Sequence, residues 1–139
     1  MKEPTWVEEH EVLAIHARLL ALYGGAPGLR DQGLLQSAMA RSRQLFAYCQ
    51  SPSVIQMAAA YTAGIVRNHP FVDGNKRTGF LVGVLFLETN GYRFTAPEED
   101  ATRAVLNLAS GVIDEQEFAA WFGKCAKRIV KYRVKKRPR

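Results

Sequence analysis

Between His69 and Arg77 the sequence reads HPFVDGNKR, a short run that gathers a histidine, an aspartate, a lysine and an arginine around one glycine. A histidine in such a run can accept a hydroxyl proton near neutral pH. A lone carboxylate, Asp73, can hold a magnesium ion that bridges phosphate oxygens. Gly74 permits a backbone shape that aims successive N–H groups at one point, and Asn75, Lys76 and Arg77 surround that point with donors. Lys76 and Arg77 also fall where a helix should begin. That end of a helix already carries about half a positive charge, so cations there are unfavourable unless an anion joins them. The run therefore has the form of a phosphate site. Phosphoryl-type transfer needs these parts, because its catalysis rests on positioning the nucleophile and on stabilising charge spread over phosphate oxygens. The same residues also allow a plain connection in which His69 ends one helix and Asp73 caps the next.

The surrounding elements must place this run between two helices. Val12, Leu13, His16, Leu19, Leu20 and Tyr23 recur at three- and four-residue steps and predict a first amphipathic helix, stopped by Gly24 and Gly25. Asp31 is placed to cap a second helix carrying Leu34, Leu35, Ala38 and Met39. Ser53 is placed to cap a third, from about Val54 to Asn68, which Pro70 stops by disfavouring helical geometry at His69. A fourth follows the run to about Thr89. Thr95 with Glu98, and Asp114 with Glu117, have capping-box spacing and predict helices near 97–109 and 114–130. Strand signals are confined to a few residues such as YRF, and the expected fold class is all-α.

At 139 residues and 47% hydrophobic content, the chain reads as one globular domain. We divide it into a domain over residues 1–126 and a basic helix end and tail over 127–139. The formal net charge of +6 is misleading, because residues 124–139 hold nine of the 19 lysines and arginines and no acid. Ten bases then face 13 acids in residues 1–123, a formal −3, so only the tail could bind nucleic acid through charge. The apolar run GFLVGVLFLE, from Gly79 to Glu88, is too short to cross a bilayer and reads as a buried helix. Cys49 and Cys125 have no metal or redox spacing, and no secretory leader is recognisable, which sets the expectation of a cytoplasmic protein. Neither a P-loop nor a dinucleotide fingerprint occurs. His10 and His16 are six apart, too far to share a helix face as a zinc pair, and we expect a structural or surface role for both.

HPFVDGNKR resembles the signature of the Fic/Doc family, H-x-F-x-[DE]-G-N-x-R-x-x-R. The N-K-R of the loop is similar to the death-on-curing (Doc) branch, as is the segment from Ile15 to Arg41, and the resemblance spans roughly residues 7–122. It implies a compact all-helical fold of about six helices with the signature loop between two central ones. It also implies roles at the matched positions. His69 would activate a target hydroxyl, Phe71 would anchor the loop, and Asp73 would bind Mg2+. Gly74 and Asn75 would form an anion cradle through backbone and side chain, and Lys76 and Arg77 would neutralise the nucleotide phosphates.

Two departures bear on the reaction. Lys76 stands where many AMP-transferring relatives have glycine, and Phe80 stands where they carry a second arginine. The resemblance to Doc toxins implies a kinase that transfers phosphoryl from ATP to a threonine of elongation factor Tu and arrests translation. Transfer of AMP is the alternative within the family, and a DNA-associated binding protein using its basic tail is the alternative of another class. Thr5–Glu9 and Thr95–Glu99 match the inhibitory helix of self-restrained relatives only in part. Restraint is therefore expected from a separate antitoxin, whose C-terminal segment folds into a groove beside the site.

Overall fold

The computed structural model describes residues 2–129; the rest of the basic tail lies outside the described residues. Six helices follow in order: α1 (Glu9–Tyr23), α2 (Gln32–Tyr48), α3 (Val54–Asn68), α4 (Asn75–Thr89), α5 (Glu98–Ser110) and α6 (Glu115–Cys125). The architecture is the all-α one expected. YRF forms a short strand, β1 (Tyr92–Phe94), antiparallel to β2 (Ala126–Arg128).

Most of the starts are set by local chemistry. Asp31 accepts from Leu34 N and Ser53 from Gln56 N, each relieving an orphan donor of the first turn. Asp114 and Glu117 form a reciprocal capping box. Thr95 and Glu98 do not: α5 starts after Pro97 with no side-chain cap, and Glu98, Glu99 and Asp100 complement the dipole of its first turn. The expected helix over 114–130 ends at Cys125, so the basic segment from Lys127 begins in a strand instead of a helix end. The reason is tertiary. The backbone of β1 has unmet hydrogen bonds, and Thr95 N to Cys125 O (2.9 Å) and Ile129 N to Gly91 O (2.8 Å) extend its pairing at both ends.

The core forms around α3, whose residues from Met57 to Val66 are all buried. It packs against α2 on one side and α4 and α6 on the others. Small residues allow close approach at the α3–α4 crossing. A Cβ on Gly83 would lie 2.2 Å from Thr62 Oγ1 and 3.0 Å from Ala58 O, so only glycine fits. Thr62 donates to Gly79 O at 2.7 Å across the same crossing. This contact fixes the first turns of α4 against the middle of α3, and the HPFVDGNKR loop joins the two helices.

Candidate active site

His69 ends α3 and is the only non-glycine residue with positive φ among the described residues (φ 51°, ψ 54°). Left-handed geometry costs a side-chain-bearing residue roughly 1–2 kcal/mol and persists only where its surroundings hold it. The next residue is Pro70, whose carbonyl accepts from Arg30 N (2.7 Å) and Asp31 N (3.0 Å). Phe71 then turns inward and is 1% exposed, stacked on His16 with ring centroids 3.8 Å apart. Burying a phenyl ring contributes about 2 kcal/mol, which ties the loop to the core.

The side chain of Asn75 is also buried. Its Oδ1 accepts from Phe71 N at 3.0 Å, and its Nδ2 donates to Phe71 O at 2.9 Å and faces His69 Nδ1 at 3.2 Å. The expected cradle of Asn75 backbone and side chain therefore has only the backbone to offer an anion: the amide spans the loop and orients the histidine. Gly74 takes the left-handed conformation (φ 79°, ψ 15°) at the start of α4, where no side chain caps the helix. Intrahelical bonding begins with Thr78 N to Gly74 O, so the N–H groups of Asn75, Lys76 and Arg77 lie outside that ladder. Lys76 and Arg77 are exposed beside them. The result is an open, positively charged helix start facing solvent.

Asp73 does not cap α4. Its carboxylate accepts from the N–H of Gly74 (Oδ1, 2.8 Å) and from that of Ala26 (Oδ2, 3.2 Å). These two bonds hold it below the usual carboxylate range, so it is ionised at neutral pH. Gly25 makes room for it, because a Cβ there would stand 2.8 Å from Asp73 Oδ2. No group of three or more His, Cys, Asp or Glu side chains gathers to hold a metal among the described residues. A single exposed, ionised carboxylate beside a phosphate-binding helix start fits magnesium, which takes one or two carboxylates and completes its shell with phosphates and water.

Three residues beyond the run complete the site. His16, on the apolar stripe of α1, is 5% exposed and donates from Nε2 to Asp73 O at 2.8 Å. His10 is exposed on the same helix, so the expected structural and surface roles divide between the two. Tyr23 lies under the guanidinium of Arg77, 4.2 Å from its ring centre. Arg30 donates to the carbonyls of His69 (2.7 Å) and Asn68 (2.9 Å). Sequence spacing could not single out Arg30, which acts 39 positions away on backbone atoms. Phe80 joins an aromatic cluster, its ring 5.7 Å from Phe94 and 6.4 Å from Phe122, and also borders the groove that Lys76 and Arg77 line.

The chain is also similar to known proteins. A family model described as Fic/DOC family matches residues 6–87. The chain is 33% identical over 93 residues to "Protein kinase doc" of Escherichia phage P1, covering 66% of this chain and 74% of that protein. It is 39% identical over 83 residues to "Toxin Doc" of Mycolicibacterium smegmatis, covering 59% of this chain and 63% of the relative.

Proposed function

The chain belongs to the Fic/DOC family, and from that premise we propose that it is the toxin of a toxin–antitoxin pair, a protein kinase that transfers phosphoryl from ATP to a Ser or Thr hydroxyl. The observation that carries the reading is the uncapped start of α4, with Lys76 and Arg77 exposed around free N–H groups and His69 and Asp73 on the adjoining loop. His69 takes the hydroxyl proton as the target oxygen attacks phosphorus. A new O–P bond forms to the target while the bond to the departing ADP breaks. Lys76, Arg77 and the N–H groups of the first turn hold the phosphate oxygens in place. Asp73 would hold Mg2+, which supplies further neutralisation of phosphate charge when bound.

Phe80 favours phosphoryl over AMP transfer. Its ring sits among Phe94 and Phe122, so the position offers no cation to clamp the far phosphates of a nucleotide bound for α-phosphate attack. Lys76 instead adds an exposed cation in the first turn of α4, which suits a γ-phosphate at the reacting position. Elongation factor Tu is the target we propose. The antitoxin segment would lie in a groove of about 380 Å³ bordered by Leu19, Tyr23, Lys76, Arg77, Glu98 and Leu106, where an apolar floor meets two cations and one carboxylate. Purified protein incubated with elongation factor Tu and ATP labelled on either the γ- or the α-phosphate tests the reaction. Label from the γ-position should appear on the target. Incorporation of the α-label, with a gain of the mass of AMP, would overturn the kinase assignment.

A further inference from the structure

We propose that Arg30 is a positioning residue for His69, fixing the backbone from which the imidazole reaches the reacting hydroxyl while Asn75 holds the ring itself. The proposal rests on the reading of His69 as the proton acceptor. His69 leaves α3 in a left-handed conformation, and the helix there presents unpaired carbonyls with partial negative charge. The guanidinium of Arg30 meets two of them at once: Nε donates to His69 O at 2.7 Å and Nη2 to Asn68 O at 2.9 Å. Two donors at fixed spacing hold the two peptide groups that flank the His69 Cα, which a single contact would leave free to rotate.

Arg30 is itself held. Its N–H donates to Pro70 O, its neighbour Leu29 bridges Phe71, and Val72 N donates to Gly28 O at 3.0 Å. The following residue, Asp31, caps α2 through Leu34 N. The segment 28–31 thus runs along the loop as a short splint, joined at one end to a helix. Lys76, Arg77 and the N–H groups of α4 lie beyond Phe71 and make none of these bonds. Loss of Arg30 should therefore disturb the histidine and leave the nucleotide-binding side intact.

Arg30→Gln and Arg30→Lys separate this role from a structural one. For Arg30→Gln we expect kcat to fall on the order of 10–100-fold with KM for ATP unchanged, the size of effect that misplacing a reacting group produces. Arg30→Lys, with a point charge in place of the fork, should recover only a small part of it. In both variants the ring resonances of His69 in 15N-edited NMR spectra should shift from those of the wild type. An unchanged kcat overturns the proposal, as does a fall in kcat accompanied by a rise in KM and a matching loss of thermal stability. If the wild type transfers no label, the proposed reaction is wrong, and the resonances alone decide: unchanged His69 signals in Arg30→Gln overturn the role of Arg30.

Discussion

The amide nitrogen of Asn75 lies 3.2 Å from Nδ1 of His69, and the backbone of Phe71 determines which way that amide faces. Nδ2 can only donate, so Nδ1 of the neutral ring accepts and the ring proton resides on Nε2. As general base the ring therefore accepts the hydroxyl proton on Nδ1, and Asn75 Nδ2 gives up that nitrogen as the target hydroxyl enters. The expected resting state is the Nε2–H tautomer, and 15N chemical shifts of His69 report it directly. Asn75→Ala should lower stability by about 1–3 kcal/mol, because the buried N–H of Phe71 loses its acceptor. Urea unfolding of the variant measures that loss.

His69→Ala should reduce transfer by roughly 10²–10⁴-fold, the range for a general base, while the helical circular dichroism stays that of the wild type. The residue is exposed at the end of α3, so little packing is lost. Growth arrest by this variant at wild-type expression would remove His69 from the role of base.

Asp73→Ala should lose magnesium-dependent transfer, and unchanged turnover would exclude it as the metal ligand. The bonds from Gly74 and Ala26 lower its folded pKa, so the stability it contributes is present above its unfolded value and is lost as pH falls through the folded one. Titration of the carboxyl carbon by NMR should place its midpoint below that of an unfolded aspartate.

Gly25→Ala places a Cβ against Asp73 Oδ2 at a backbone φ of 120° that L residues rarely adopt. Displacing the carboxylate should raise the magnesium concentration needed for half-maximal activity by about 10–100-fold, as loss of a supporting contact commonly does at metal sites. The activity measured against magnesium concentration shows it, and a wild-type curve would mean that the carboxylate is free to move.

Tyr61 is buried in α3, and burial pushes its hydroxyl up to about 12. A raised folded pKa means that its stabilising contribution is complete below about 10 and is lost as pH rises toward 12. Thermal unfolding should show this alkaline loss, and Tyr61→Phe should flatten it. An equal slope in the variant would assign the effect to other groups.

What the sequence by itself determined is local. Asp31 with Leu34, Ser53 with Gln56 and Asp114 with Glu117 are each within one helical turn, so cap chemistry located three helix starts. Pro70 marked the end of α3, and Gly74 marked the turn into α4. Cations at a helix start signalled an anion, because the helix dipole acts wherever the helix goes. The tertiary structure decided where the side chains of the loop are spent. It turned Asn75 inward, tied Asp73 to His16 across 57 positions and to Ala26 across 47, and set Arg30 on the carbonyl of His69. It also ended α6 at Cys125, where pairing with β1 outweighed helix propensity. Such choices depend on which distant backbone groups come within hydrogen-bond reach, and that follows only once α1, α3 and α4 have packed.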